Sequence, residues 1–365
     1  MRRVKITFIA VVLLCIITAC GNAEADYSET NDSKDAIPVQ TGQIFLFGER
    51  HGCADTMDKQ LEIWGNFYHQ YGMRHLFLEM PYFGAQWLNL WMHSDDDVIL
   101  YEMFDDIAGT LSHVPHTLIF FRTIKQEFPG TIFHGTDVGH QSDTQGQRFL
   151  QYLYDNDMQD TESYTITRMK MAQFERFMEE VATHGEWHAH AVRAYYKPQN
   201  FIREFDQLAH QNVMAIHGML HVELTQHFKQ IPNVPSMAYI LRERYGDALH
   251  TFNMDVLLQI QEPLRIEEVV LGGMAFEGSY FGAGREVIRD EVARFFWRVE
   301  DAPEVIRSSP PAGIAVPFDH FPMTVEVGQV FIIDFHQADG SVLRRYFAAR
   351  GNYQNGRPVA EQFFP

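Results

Sequence analysis

The sequence predicts an α/β fold: a mostly parallel central sheet with helices on both faces, followed by a C-terminal α+β extension. Three observations lead there. Short apolar runs recur from residue 43 to about 250. Amphipathic helical stretches separate them, which is the pattern of βαβ units. After about residue 250 that alternation gives way to glycine-rich segments and a hairpin signal.

The elements follow in order. "QIFLFG" (43–48) is an apolar run closed by glycine and reads as a buried strand. In 54–72, Met57, Leu61, Ile63, Trp64, Phe67 and Tyr68 recur at helical spacing, and Gly72 stops the helix. "HLFLEM" (75–80) is a second strand. "YFGAQWLNLWM" is amphipathic, and 112–130 reads as a helix closed by Pro-Gly. "TIFHGTD" (131–137) is a third strand, with helical stretches at 141–156 and 160–183. "NVMAIHG" (212–218) is a fourth strand, with a helix expected over "MLHVELTQHF". "PSMAYIL" (235–241) is the candidate fifth strand. Beyond it, "REVIRDEVARFFWRVEDA" (285–302) reads as helical and "RSSPPAGIAVP" (307–317) as a loop. Residues 328–351 read as a hairpin about an Asp-Gly turn.

The formal charge of −19 on 365 residues offers no basic patch for phosphates, so nucleic acid is excluded as a partner. The N-terminus has a basic stretch, "MRRVK", an apolar stretch, "ITFIAVVLLCII", and then "ITAC" ending at Cys20. This resembles the lipobox of bacterial lipoproteins. It implies a signal peptide over 1–19, lipid on Cys20, a flexible polar tether over 20–42, and an extracytoplasmic protein anchored to a bacterial membrane. The remaining domains are then 43–250 and an extension over 251–365. With Cys15 removed and Cys20 lipidated, Cys53 is left alone, and no intrachain disulfide forms.

In parallel sheets, ligands bind beyond the carboxyl ends of the strands. Acidic and imidazole groups gather at those ends here: Glu49 and His51 after the first strand, Glu79 after the second, Asp137 after the third, and His217 and His221 after the fourth. A second histidine cluster, "HGEWHAH" (184–190), misses H-E-x-x-H because its acid is Glu186; a helix end or a loop fits it better.

The stretches "FLFGERHG", "HLFLEMP", "FHGTDVG" and "VMAIHGMLHVEL" together resemble the erythromycin esterase/ChaN-like superfamily, whose relatives include the TraB and TIKI proteins. Gly48-Glu49-Arg50-His51 and Gly218-Met219-Leu220-His221 both fit the Gly-x-x-His signature of TIKI-type metalloproteases. Gly-Glu-x-His, one residue shorter than the esterase motif, favours the ChaN-like branch.

The resemblance implies hydrolysis of an ester or amide in a small-molecule or peptide substrate. Two arrangements serve that chemistry. In one, His51, Glu79 and His221 hold a divalent ion (Zn, Mn, Co or Fe) that activates water, with Asp137 or His217 in support. In the other, no metal takes part: His51 is the general base, Glu49 or Glu79 orients it, and His221 polarises the carbonyl. The alternative is a haem- or iron-binding lipoprotein without catalysis.

Overall fold

A computed structural model describes residues 42–365 apart from 209, 229–230, 232, 285–290, 300–301, 303–304, 306–308 and 355–356. The expected signal peptide, Cys20 and all but the last residue of the tether lie outside the described residues.

The α/β part holds a five-stranded parallel sheet in the order β3-β2-β4-β1-β5. Its strands are β1 (Ile44–Glu49), β2 (His75–Leu78), β3 (Ile132–Gly135), β4 (Val213–Gly218) and β5 (Leu249–Asn253). Helices link them: α1 (Ala54–Tyr71), α2 (Tyr82–Met92), α3 (Val98–Asp106), α4 (Pro115–Glu127), α5 (Gln147–Asp155), α6 (Glu162–His184), α7 (Glu186–Asp206) and α8 (Met237–Tyr245). A short helix, α9 (Met254–Leu257), follows β5.

The central strands read as unbroken apolar runs because both faces are covered. On one face Ile44, Leu46, Phe77, Val213 and Ala215 pack against Phe201 and Phe205 of α7 and Met237, Ala238 and Leu241 of α8. On the other, Phe45 meets Phe67 of α1 with ring centroids 4.9 Å apart. Each fully buried Val, Leu, Ile, Phe or Met among them contributes about 1.5–3 kcal/mol. Helix α1 ends at Gly72 as its spacing predicts.

Two expectations about this region are corrected. Residues 237–241 form the start of α8, not a strand; Ser236 caps it by accepting the N–H of Tyr239 at 3.2 Å. The fifth strand is 249–253, paired to β1. β4 is followed by a 3-10 turn, Met219–His221, rather than the expected helix. The backbone beyond it is tied elsewhere: Ser236 N–H bonds Thr225 O at 2.9 Å, and the Ser236 hydroxyl bonds Glu223 O.

The C-terminal part is a seven-stranded antiparallel sheet in the order β6-β7-β8-β10-β11-β12-β9. Its strands are β6 (Arg265–Leu271), β7 (Met274–Gly284), β8 (Glu291–Val299), β9 (Ala315–Pro317), β10 (Val330–Gln337), β11 (Val342–Gln354) and β12 (Arg357–Phe363). The predicted hairpin is β10–β11, turning at Gly340. Of the helix expected over 285–302, residues 291–299 form the strand β8 instead, and 285–290, 300 and 301 lie outside the described residues. The side chains of β8 alternate between two cores, Phe295, Trp297 and Val299 to one and Phe296 to the other. That period-two burial overrides the helical composition.

Candidate active site

The parallel register pairs Glu49 with Gly218 and Leu78 with Ile216, so the carboxyl ends of β1, β2 and β4 form one edge, with β3 beside them. Glu49, His51, Glu79, Asp137, His140 and Arg193 line a cleft of about 390 Å³ at this edge.

Glu49 and His51 form a dyad. The Nδ1–H of His51 donates to Glu49 Oε1 at 2.9 Å, and Gln60 from α1 holds the other carboxylate oxygen. The acceptor on Nδ1 fixes the tautomer, which leaves Nε2 with a lone pair. That nitrogen lies 3.9 Å from Glu79 Oε2. Burial opposes charging the ring, but the Glu49 hydrogen bond and the charges of Glu79 and Glu49 outweigh it, so the pKa is raised from 6.5.

Glu79 is the hub. Its Oε1 accepts from Arg193 Nη2 at 2.7 Å and from Lys197 Nζ at 2.6 Å, and its Oε2 takes the Gly218 N–H. Burial pushes the carboxyl up; its cationic neighbours, Lys197 foremost, hold it well below the ordinary 4.5. Arg193 also forks onto Asp137, with Nε 3.0 Å from Oδ1 and Nη2 bonded to Oδ2. Asp137 is buried, which would raise its pKa, yet Arg193 and Lys197 hold it far below the carboxylate range. Its Oδ1 also takes the Val138 N–H at 2.8 Å. Arg193 spends Nε and Nη2 on these two carboxylates. Its Nη1 has no protein acceptor among the described residues, and the residue faces the cleft.

The histidines after β4 lie deeper. His221 Nε2 is 2.8 Å from Lys197 Nζ and 3.3 Å from Glu79 Oε1. The shorter contact is to a group that only donates, so Nε2 accepts and the proton sits on Nδ1. Burial lowers the His221 pKa to about 4. His217 bonds the Thr136 hydroxyl at 2.8 Å, and burial takes its pKa to about 3. Neither ring lines the cleft. Thus Glu49, His51, Glu79 and Asp137 meet in the cleft, while His217 and His221 stand behind it.

Sequence reasoning passed over Arg193, Lys197, Gln60 and His140. His140 lies 3.8 Å from Asp137, with Phe174 and Phe177 edge-on to its ring; burial lowers its pKa to about 4. The "HGEWHAH" cluster marks a helix break at Gly185, and His184 pairs with Glu180 on the surface at 2.7 Å.

The expected ligand set does not fit a divalent ion. Lys197 Nζ occupies the space between Glu79 Oε1 and His221 Nε2 that an ion would need. The ion would face two cationic side chains. Among the described residues no group of three or more His, Cys, Asp or Glu is arranged to hold a metal.

No family model matches the chain, and no curated protein matches it. Solved structures similar to it include a Bacillus cereus protein at 13% identity and TM-score 0.41, covering 83% of this chain and 87% of that one. An erythromycin esterase mutant in its open conformation matches at 12% identity and TM-score 0.42, covering 73% and 84%. A succinoglycan biosynthesis protein matches at 10% identity and TM-score 0.37, covering 65% and 70%. Likeness at this level carries no activity over to this chain, so its function is argued from its own residues.

Proposed function

We propose that the protein hydrolyses an ester or amide without a metal, using His51 as general base. The observation that carries this is the His51 Nε2 lone pair, oriented through Nδ1 by Glu49 and flanking Glu79 on one side while Arg193 flanks it on the other. His51 Nε2 takes a proton from water as its oxygen bonds the carbonyl carbon. The carbonyl oxygen becomes an oxyanion facing Arg193 Nη1. Collapse breaks the bond to the leaving oxygen or nitrogen, which takes the proton back from Nε2. Glu79 and Glu49 stabilise the imidazolium in between, as the raised pKa of His51 reflects.

The test is turnover of a panel of aryl esters and anilides in the presence of chelator. Wild type cleaves at least one of them, and His51→Gln loses that activity with an unchanged circular dichroism spectrum. Equal rates in the two proteins would overturn the reading. A Soret band on haem titration that disappears in His51→Gln would replace it with haem binding. Attachment to a membrane through lipid on Cys20 belongs to the same proposal, supported by the "ITAC" stretch. Cys20→Ser then moves the protein from the membrane fraction to the soluble one.

A further inference from the structure

The polar floor of the cleft faces an apolar wall that the chemistry above does not use. Ile107, Leu111, Phe120 and Phe121 form that wall, from the end of α3, the loop after it, and α4. Leu111 lines the cleft and is 74% exposed, so its side chain is open to an incoming ligand. The loop that carries it is held against the catalytic turn. Gly52 stands at φ 74°, and a Cβ there would lie 2.2 Å from Leu111 O. The loop that carries the wall and the turn that carries His51 therefore meet at this point.

Behind the wall is a second cavity of about 50 Å³, bordered by Leu88, Leu100, Met103 and Phe104. It shares Met80, Pro81, Ile107, Thr117, Phe121 and Gln141 with the cleft. Its other borders are almost wholly apolar. A space of that size exceeds the roughly 10–15 Å³ that one water needs and suits a short hydrocarbon arm. No charged side chain borders it, so it offers an ionic group nothing.

We infer that the substrate is an ester or amide carrying a short apolar arm of several carbons, received along the Ile107–Leu111–Phe121 wall and into the chamber behind it. This rests on the hydrolase reading and adds the substrate's shape to it. The polar floor handles the carbonyl, and the α3–α4 wall handles the arm. An arm that adds methylenes gains about three- to fourfold in kcat/KM for each one buried, until the chamber is full.

The experiment uses p-nitrophenyl acetate, butyrate and octanoate, with the matched acetate esters of longer alcohols as a second series. The expected result is a butyrate-to-acetate kcat/KM ratio of roughly tenfold in one of the two series. The octanoate is expected to gain nothing further. Leu111→Ser and Met103→Phe should each lower that ratio, the first by removing the mouth and the second by filling the chamber. The series that responds tells whether the arm is on the acyl or the alcohol side. Calorimetric binding of methyl and propyl trifluoromethyl ketones gives a readout independent of turnover. His51-dependent hydrolysis with a flat ratio in both series overturns the inference and leaves the hydrolase reading standing. Tighter binding of the propyl ketone without turnover does the opposite. No preference in either assay overturns the apolar arm.

Discussion

Lys197 lies 2.8 Å from Nε2 of His221 and 2.6 Å from Oε1 of Glu79, and so supplies the positive charge between them. An ion pair this buried is costly to break by halves, because the partner keeps its charge without its counterion. Lys197→Met should destabilise the protein by about 3–5 kcal/mol, read from urea denaturation. A loss below about 1 kcal/mol would mean that Arg193 alone neutralises Glu79. The same arrangement predicts that chelators leave wild-type turnover unchanged, whereas a tenfold fall with EDTA, restored by one divalent ion, would restore the metal reading.

Arg193 has a different place, with two donors committed to carboxylates and Nη1 left for substrate. Arg193→Lys keeps the charge but loses the planar fork that bridges Glu79 and Asp137. We expect kcat to fall roughly 10²–10³-fold with a smaller change in KM, as for removal of an oxyanion donor. A rise confined to KM would assign Arg193 to ground-state binding.

The pH dependence has a definite sign. A general base works when unprotonated, so kcat/KM should rise with pH through the His51 pKa, which lies above 6.5. Glu49→Gln removes the negative charge beside the ring and leaves only a neutral amide oxygen to accept from Nδ1, so that limb should move to lower pH as the maximal rate falls. For stability the linkage runs the other way. Because folding raises the His51 pKa, its contribution is complete below 6.5 and is lost as pH rises through the folded value. Glu79, whose pKa folding lowers, contributes above 4.5 and loses that contribution as pH falls. A Glu49→Gln profile identical to wild type would remove Glu49 from the dyad.

The sheet edge was legible because parallel strands buried on both faces leave continuous apolar runs, and polar residues then stand out where those runs end. Glu49, His51, Glu79 and Asp137 are all of that kind. Arg193 and Lys197 are not, because they lie inside a helix where cations ordinarily face solvent. A signal was present nonetheless: Arg193, Lys197, Asn200 and Glu204 recur at spacings of four, three and four, which puts them on one face of α7. Lys197, Asn200 and Glu204 are buried in that face. A helix with a polar stripe towards the core is one that serves a polar site. The strand at 291–299 was hidden for another reason, since its charged residues mask an alternation that only its two cores reveal.

Gly218 gives the sharpest test of how tightly the site is built. A Cβ added there would lie 2.9 Å from His51 Nε2 and 3.2 Å from Glu79 Oε2, closer than ordinary contact. Gly218 also donates its N–H to Glu79 and pairs in register with Glu49. Its φ of −54° is open to any residue, so Gly218→Ala introduces no backbone strain. The methyl group must therefore be accommodated by movement of the base or of the carboxylate beside it. His51 is the more exposed of the two and gives way more easily. Turning its ring out weakens the Glu49 hydrogen bond and withdraws Nε2 from the carbonyl. We expect Gly218→Ala to lower kcat by about 10²-fold, the cost of a misplacement of about 1 Å. Thermal stability should change far less. Stability and activity falling together would locate the role of Gly218 in folding. Full activity would show that the space around Nε2 is wider than the geometry allows, and that His51 is not held for catalysis.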